Sequence, residues 1–238
     1  MSQVAEPEKL ITAKDWDQKW QEIFNRYQND IRHAYYIDAV RKRHEKRVLE
    51  IAAGSFRDIV QLTKLGVEGH GIDFSPESVA LAKKLYPSLQ ERFLVMDAFD
   101  LQYPDNHFDV SFHNGFWGLF SDEEIVRMAK EQARVTKGRI IATMHNAHNQ
   151  AFADYFNSQK KIDPLFNIRF FTIDQMREIL GKVARKVTII PVGKSNRLRE
   201  DWFIRHGLHN PLLINCVFKF SGIRYLECSE RLMCIAEL

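Results

Sequence analysis

The feature that most constrains the fold of this chain is the segment 47–87, whose pattern predicts a strand, a turn, a helix and a second strand in close succession. An apolar run ends in the small residues at 52–54, a helical pattern of apolar residues follows, and Gly66 ends that pattern. A second apolar run then closes on Asp73. Two neighbouring parallel strands need a crossover connection of this kind. The segment therefore predicts an α/β fold built on a parallel sheet.

The two turns of this unit carry its predicted chemistry. Ala52 and Gly54 are small enough to let the backbone approach a ligand closely, and the free N–H groups at the start of the next helix suit an anionic group. Asp73 follows about 20 residues later at the tip of the second strand, where a nucleotide-binding fold accepts hydrogen bonds from ribose hydroxyls. Many α/β proteins that bind nothing at this place show the same succession of elements, so the pattern alone leaves that alternative open.

Longer motifs extend this interpretation. The sequences VLEIAAGS (48–55) and GIDFSPESVALAKK (71–84) resemble the first two motifs of the class I S-adenosylmethionine-dependent methyltransferases. The sequence DAFDLQYPDNHFDVSFHNGF (97–116) resembles the third and fourth motifs of the same family. The resemblance covers roughly residues 45–146, and its segments follow the order found in that family. Phe56 stands where the family has a variable glycine position, and it is expected to narrow the mouth of the pocket.

The resemblance implies S-adenosyl-L-methionine as the cofactor and assigns residues at the strand ends to its parts. Glu50 and Gly54 are expected beside the methionine part, and Asp73 is expected to bind the ribose hydroxyls. Asp97 is expected to accept a hydrogen bond from the adenine amino group. Two structural alternatives stay open, since Asp73 can cap the helix that begins after Ser75 and Asp97 can form an Asx-turn. The full set of expected cofactor-binding residues is Glu50, Ala52, Gly54, Asp73, Phe74, Asp97, Ala98 and Asn114.

The remaining elements alternate regularly along the chain. An amphipathic helix is predicted from Asp15 to about Val40, broken near Asn29. Ser75 as the N-cap and Pro76 at the first position predict the start of a later helix. Further strands are predicted over 92–96, 107–112, 139–144, 186–192 and 231–238, and further helices over 122–135 and 172–180. This alternation predicts a Rossmann-like, seven-stranded, mostly parallel sheet with helices on both faces and an antiparallel last strand at its edge.

The chain 1–238 is expected to form a single domain with three parts. Residues 1–44 would form an N-terminal helical lid over the cofactor, and residues 45–146 would form the cofactor-binding core. Residues 147–238 would supply the acceptor-side insertion and the C-terminal strands. Segments without a regular pattern, predicted as loops or turns, are 1–14, 136–139, 145–170 and 194–229.

Polar and aromatic groups near the strand ends are candidates for the acceptor side. His145 and His148 follow the fifth predicted strand, and they are the predicted catalytic residues because a histidine can act as a general base near neutral pH. Trp117 and His113 are predicted to contact the acceptor, with a core aromatic and a hydrogen-bonded structural imidazole as the alternatives. No carboxylate stands at a spacing that would complete a metal site with these histidines, so no metal is predicted.

Composition and charge exclude several kinds of partner. The 238 residues carry a formal net charge of +3 with both signs interspersed, so nothing in the sequence requires a nucleic-acid partner. The three cysteines show neither metal-ligand spacing nor a disulfide framework, which is typical of a reducing cytosol. The sequence shows no apolar leader and no apolar run long enough to span a membrane. A cytoplasmic protein without membrane contact is expected, and its oligomeric state is left open.

These observations predict an S-adenosylmethionine-dependent methyltransferase that acts on an oxygen or nitrogen of a small-molecule acceptor. A methyltransferase for RNA or protein is the nearest alternative, but the Asn/Asp-Pro-Pro-aromatic motif is absent after the fourth strand, as is a strongly basic face. A nucleotide-dependent oxidoreductase would share the opening unit, but the G-x-G-x-x-G fingerprint is missing. A binding module that kept the cofactor site without turnover also stays open, because a fold does not by itself imply a function.

Overall fold

A seven-stranded sheet runs through residues 12–193 and 200–238, the part of the chain that the computed structural model describes. Its strands are β1 (Arg47–Ile51), β2 (Glu68–Asp73), β3 (Phe93–Val95), β4 (Phe108–Asn114), β5 (Thr136–His145), β6 (Lys186–Val192) and β7 (Arg231–Glu237). They stand in the order β3-β2-β1-β4-β5-β7-β6. The strand β7 runs antiparallel to the other six strands, which share one direction, so the predicted fold class is confirmed.

The strand β1 lies at the point where the strand order reverses. It pairs in parallel with β2 on one side and with β4 on the other. From β1 the chain proceeds outward to β2 and β3, and it then returns to β4 on the opposite side of β1. Ligands of open α/β sheets bind in the crevice that such a reversal creates outside the carboxyl ends of the strands. The topology therefore places a ligand crevice above β1 and β4.

Helices cover both faces of the sheet, because successive side chains of a strand point to opposite faces. Ile141 of β5 packs in one core with Ile37 and Phe218, whereas its neighbour Ile140 packs in a second core with Met128 and Met176. Both isoleucines are fully buried. The helices of the described residues are α1 (Ala13–Tyr27), α2 (Arg32–Val40), α3 (Arg57–Lys64), α4 (Pro76–Leu85), α5 (Asp122–Val135), α6 (Gln150–Gln159), α7 (Ile173–Gly181), α8 (Glu200–Arg205) and α9 (Pro211–Ser221).

The sequence signals for helix ends are confirmed where they were specific. Ser75 caps α4 by accepting a hydrogen bond from the backbone N–H of Ser78, and Pro76 occupies the first helical position. Thr172 and Gln175 form a capping box at the start of α7. The N-terminal helix is broken as predicted, since α1 ends at Tyr27 and α2 begins at Arg32, after four intervening residues.

Three local predictions are wrong. No turn forms at 136–139, because β5 begins at Thr136 directly after α5 and pairs there with Phe108. The strand β7 is not an edge strand, because it is inserted between β5 and β6. The segment 145–170, predicted to be irregular, contains α6, and the segment 194–229, predicted in the same way, contains α8 and α9. Of the lead-in predicted over 1–14, residues 1–11 lie outside the described residues, and α1 begins within it at Ala13. The basic residues within 194–199 also lie outside the described residues.

None of the helices in the described ranges combines the length and the apolar character that crossing a membrane would require.

Candidate functional site

A cavity of about 410 Å³ opens at the carboxyl ends of the parallel strands, within the ~300–1,000 Å³ range of ligand pockets. The ends of β1, β2 and β4 contribute to its lining, and residues of α1, of α6 and of the stretch that follows α6 contribute to it as well. The cavity thus lies where the reversal of strand order predicts a ligand. The eight residues that the sequence assigned to the cofactor all line it: Glu50, Ala52, Gly54, Asp73, Phe74, Asp97, Ala98 and Asn114.

The turn after β1 is strained, and the strain faces the cavity. Ala52, Gly54 and Phe56 have φ angles of 51°, 55° and 57°, in the left-handed region that only glycine adopts freely. For a residue with a side chain, this conformation costs on the order of 1–3 kcal/mol and persists only when the surroundings fix it. Here the N–H of Ala53 donates to the carbonyl of Ile72 at 2.9 Å. Strain of this kind clusters at ligand-binding turns, so it supports a functional role for this one.

Phe56 does not narrow the mouth of the cavity, and that expectation is wrong. Its side chain is fully buried, and its ring centroid lies 4.6 Å from that of Phe93. The absence of a side chain at Gly71 makes room for it, since a Cβ there would lie 2.7 Å from the Phe56 ring. The left-handed backbone at this position turns the phenyl group into the core beneath β2, so the third family glycine is replaced without cost to the cavity.

Asp73 sits at the end of β2 with both carboxylate oxygens engaged. One oxygen accepts the N–H of Gly54 at 2.8 Å, and the other accepts the N–H of Ser75 at 2.9 Å. Burial raises the pKa of Asp73 to about 6, while the hydrogen bonds from Ser75 and Gly54 act in the opposite direction and Asp17 raises it further. Each oxygen has a second lone pair, so the carboxylate can hold the two turns together and still accept hydrogen bonds from a ligand in the cavity.

Asp97 is exposed and combines a turn with a place in the cavity lining. Its Oδ1 accepts the N–H of Phe99 at 2.9 Å, which is the Asx-turn considered as the structural alternative. No other hydrogen bond to this carboxylate forms within the described residues, so Oδ2 remains available to a ligand. Phe74 and Ala98 line the cavity next to Asp73 and Asp97, and Asn114 lines it from the end of β4.

Two buried carboxylates line the cavity beside the turn. Glu50 accepts the N–H of Ile59 at 3.0 Å, and burial together with the nearby Asp58 raises its pKa well above the usual range. Asp58 lies 3.3 Å from His33 through Oδ2, but its buried Oδ1 has no hydrogen-bond partner among the described residues. Nε of Arg57 lies 4.0 Å from this oxygen, so Asp58 has a cation nearby but no hydrogen bond at Oδ1. The raised pKa of Glu50 favours its neutral form, so this carboxyl can donate as well as accept a hydrogen bond in the lining.

The helix α1 crosses the cavity and is fastened at two points. Lys19 forms an ion pair with Asp163, which follows α6, at 2.9 Å. Asp17 accepts hydrogen bonds from the Ser75 hydroxyl and from the N–H of Glu77, which ties α1 to the start of α4. The ring of Trp20 lies so close to Gly54 that a Cβ there would clash with it. Residues of α1 line the cavity, and the role of residues 1–44 as a lid stays a prediction.

His145 lines the cavity at the end of β5, where it is bound to an arginine. Nη1 of Arg231 donates a hydrogen bond to Nδ1 of His145 at 2.8 Å. A guanidinium can only donate, so Nδ1 carries no proton and the neutral ring bears its proton on Nε2. Burial, with a further contribution from Arg231, lowers the pKa of His145 well below the usual value. The imidazole is therefore suited to donate a hydrogen bond and to orient Arg231, rather than to take up a proton near neutral pH.

The other three predicted acceptor-side residues lie outside the cavity lining. Nε2 of His148 accepts the N–H of Ile173 at 3.2 Å, so this histidine caps the start of α7. His113 and Trp117 are fully buried with ring centroids 4.2 Å apart, and burial lowers the pKa of His113 to about 3. Neither of these two rings has a hydrogen-bond partner for its nitrogens among the described residues. Trp117 thus takes the core alternative, whereas His113 is buried without the hydrogen bond that its structural alternative assumed. Neither residue is placed to contact an acceptor in the cavity.

Several residues of the lining were missed by sequence reasoning. Arg231 begins an apolar strand, and only the sheet order reveals that this strand starts beside the end of β5. Arg57 immediately follows the strained turn, lines the cavity and lies over the ring of Tyr27. Phe156 and Phe166 come from the stretch that was predicted to be irregular. The aromatic residues of that stretch were the sequence signal that could have identified these two as lining residues. No group of three histidine, cysteine or acidic side chains within 12–193 and 200–238 is placed to hold a metal ion.

Comparison with known proteins gives a match to one family model. Residues 48–139 match a model described as a methyltransferase domain. A demethylmenaquinone methyltransferase of Beutenbergia cavernae is 34% identical over 110 residues, which are 44% of this chain and 43% of that protein. The chain thus matches less than half the length of this curated relative. The expected methyltransferase family and the expected cofactor, S-adenosyl-L-methionine, are confirmed by the family match. The cofactor-binding roles of individual residues stay predictions.

Solved structures are similar over almost the whole chain. A methyltransferase described as putative, from a Haloferax volcanii complex with the Trm112 methyltransferase activator, gives a TM-score of 0.64 at 16% identity and covers 95% of this chain and 97% of its own. A methyltransferase from Archaeoglobus fulgidus, described as SAM dependent, gives a TM-score of 0.61 at 18% identity and covers 94% of this chain and 98% of its own. At these identities the similarity establishes the shared fold.

Proposed function

We propose that this chain, whose residues 48–139 belong to the methyltransferase domain family within a class I fold, transfers a methyl group from S-adenosylmethionine to an oxygen or nitrogen of a small-molecule acceptor. One observation carries the proposal. The acidic and small residues that end β1, β2 and β4 converge with the turn after β3 on one cavity at the strand-order reversal.

The residues around the cavity fit this cofactor. Asp58 leaves its buried Oδ1 without a hydrogen-bond partner among the described residues, and Glu50 is a second buried carboxyl in the lining, so both offer acceptor oxygens to the ammonium group of the methionine part. Asp73 retains acceptor capacity for ribose hydroxyls, and Asp97 retains a carboxylate oxygen for an adenine amino group. Phe74 gives an apolar wall beside the adenine position. The bound cofactor would supply a methyl group that its sulfonium already activates for displacement.

The contribution of the protein to the reaction is positional. An acceptor oxygen or nitrogen gives its lone pair to the methyl carbon, the carbon–sulfur bonding pair stays on sulfur, and the acceptor proton passes to water. Holding the two partners in line can contribute about 7–11 kcal/mol of the barrier reduction. Trp20 lines the cavity on the side of α1, and the ion pair between Lys19 and Asp163 fastens that helix. His145 stays neutral and holds Arg231 in the wall.

The enclosure of the cavity supports a small acceptor. The helix α1 and the stretch after α6 both line the cavity and are joined by the ion pair between Lys19 and Asp163, which leaves less room for a folded nucleic acid or protein than an open cleft would. A heteroatom acceptor brings its own lone pair and needs alignment rather than a strong base. This requirement agrees with the neutral state of His145, whose pKa is lowered well below the usual value by burial.

Calorimetric titration with S-adenosylhomocysteine and with NAD⁺ tests the cofactor part of the proposal. Saturable binding of S-adenosylhomocysteine without binding of NAD⁺ is expected. Asp73 and Asp97 are placed to bind one adenosine, and the glycine fingerprint that binds the pyrophosphate of a dinucleotide is absent. Saturable binding of NAD⁺ with none of S-adenosylhomocysteine would replace the proposal by an oxidoreductase. Binding of S-adenosylhomocysteine without turnover of any acceptor would leave a non-catalytic binding module.

A further inference from the structure

The guanidinium of Arg231 reaches from the C-terminal half of the sheet to the middle of the cavity. Arg231 is the first residue of β7 and pairs with His145 of β5 on one side and with Val192 of β6 on the other. Because β7 is antiparallel, it begins at the edge where the parallel strands end. A Cβ added to Gly115, just after β4, would lie 3.1 Å from Nη1 of Arg231. The absence of a side chain at Gly115 therefore leaves the space that the guanidinium uses.

This guanidinium has no carboxylate partner within 4 Å in the described residues. The other well-buried arginines of the sheet and its flanking helices are paired, for example Arg139 with Glu45 at 3.0 Å and Arg32 with Asp201 at 2.8 Å. Arg231 instead donates to the neutral ring of His145. Burial lowers its pKa to about 10, which leaves it a cation at neutral pH. The charge of Glu230 raises this pKa from beyond ion-pair distance. Because no carboxylate of the described residues contacts the guanidinium to offset the cost of burying it, the site favours an anionic ligand.

The carboxylates of the cavity and Arg231 lie on opposite sides of β4, and Arg57 is a second cation on the side of the carboxylates. The carboxylates proposed for the cofactor come from β1, β2 and the turn after β3, whereas Arg231 comes from β7 on the opposite side of β4. The walls near Arg231 are aromatic, since the ring of Phe156 lies 5.1 Å from that of His145 and Phe166 lies 4.9 Å from Phe156. An apolar body with one negative group would match this end in both shape and charge.

From this arrangement we propose that Arg231 binds a carboxylate of the methyl acceptor, so that the acceptor is an apolar, ring-bearing carboxylic acid. The inference rests on the proposed function and names its substrate class. A guanidinium can bind a carboxylate through two parallel N–H donors, and the hydrogen bond to His145 fixes the orientation of that fork. A carboxylate held in this way has its charge spread into the guanidinium and is a poor nucleophile. The methyl group therefore goes to a different oxygen or nitrogen of the acceptor.

The test compares trans-cinnamate with cinnamamide, which have nearly the same shape and differ in charge. Ligand-observed NMR with the S-adenosylhomocysteine complex measures millimolar affinities for both. The wild-type protein should bind cinnamate at least about tenfold tighter than cinnamamide, since hydrogen bonds to charged groups are worth roughly 10- to 100-fold. Arg231→Gln should remove this preference by weakening cinnamate alone, and Arg231→Lys should retain part of it. Arg177→Gln, at an exposed position, is the matched control and should leave it unchanged.

Several results would overturn the inference. Equal affinity of the wild-type protein for the two probes, or no detectable binding of cinnamate, would do so without relying on any variant. An Arg231→Gln protein that unfolds at the wild-type temperature but still prefers cinnamate would do so as well. If Arg231→Gln weakened S-adenosylhomocysteine by tenfold or more and left cinnamate unchanged, the guanidinium would hold the carboxylate of the cofactor instead. Failure of the wild-type protein to bind S-adenosylhomocysteine would defeat the proposed function, whereas binding of it without a preference for cinnamate defeats only this inference.

Discussion

Asp73 gives the sharpest prediction because it joins a structural role to a ligand role in one titrating group. Its pKa is raised to about 6 by burial, from an ordinary value of 3.8. The folded state thus holds this proton more tightly than the unfolded state does. The corresponding stabilisation is complete below pH 4 and is lost as the pH rises through 6, and it amounts to about 3 kcal/mol from a shift of roughly two pH units.

Cofactor binding should depend on pH in the opposite sense. The ionised carboxylate accepts hydrogen bonds from ribose hydroxyls, and such bonds to a charged group are worth about 1.5–3 kcal/mol. With a pKa of about 6, roughly one Asp73 carboxyl in eleven is already ionised at pH 5. The affinity for S-adenosylhomocysteine should therefore rise about 5- to 10-fold from pH 5 to pH 7.5 and level off above the Asp73 pKa of about 6. Glu50 also has a raised pKa, so the contribution of Asp73 is the part of the slope that Asp73→Asn removes.

Calorimetry over this pH range, on the wild-type protein and on two variants, decides the question. Asp73→Asn should bind weakly with no limb near pH 6. It should also lower the free energy of unfolding by about 1–3 kcal/mol, because one amide cannot accept from both Gly54 and Ser75. Asp97→Asn is the matched control, since this change at an exposed position should lower the affinity without changing the pH at which the affinity levels off. A wild-type affinity that is flat between pH 5 and 7.5, or a limb that persists in Asp73→Asn, would refute the reasoning.

Three further predictions concern the wall and the lid. His145→Gln should lower turnover by roughly ten- to a hundred-fold, and the wild-type pH profile should show no limb near 6.5; a wild-type limb there that the variant loses would identify a general base instead. Lys19→Ala should speed hydrogen exchange in α1 and raise the acceptor KM less than about fivefold, since a partly exposed ion pair is worth ~0–1 kcal/mol. Asp163→Ala should have the same effect, and unchanged hydrogen exchange in both variants would contradict the lid. Gly54→Ala should lower the unfolding temperature, because the new Cβ clashes with the Trp20 ring and because alanine is strained at a positive φ. Adding Trp20→Ala should remove only the decrease due to the clash. An unchanged unfolding temperature in Gly54→Ala would contradict both causes.

Local signals in the sequence predicted most of the fold that positions the site. The turn after β1, the cap at Ser75 and the acid at the end of β2 depend on residues that lie close together in the chain, and the structure places them as expected. The position of β7 could not be predicted in the same way. Strand order is a non-local property, and an apolar strand that ends the chain has the same pattern at an edge as between two partners.

The acceptor side was predicted less well because its residues serve two kinds of role with the same side chains. Trp117 and His113 stand near a strand end in the sequence, but their side chains turn into the core. His148 stands three residues after His145, but it caps α7 instead of facing the cavity. Arg231 became visible only when β7 was placed beside β5. Side-chain direction and sheet order, rather than residue type, separate the two groups.

Transfer of an isotope-labelled methyl group tests the central claim most directly. The purified chain is incubated with labelled S-adenosylmethionine and, separately, with a small-molecule extract, bulk RNA or a protein extract, and the products are separated by mass. Label is expected in a low-mass product, formed with release of an equal amount of S-adenosylhomocysteine, and a matched Asp73→Asn protein should form less of this product. Label confined to RNA or protein, or saturable cofactor binding with no label transferred to any fraction, would contradict methyl transfer to a small-molecule acceptor.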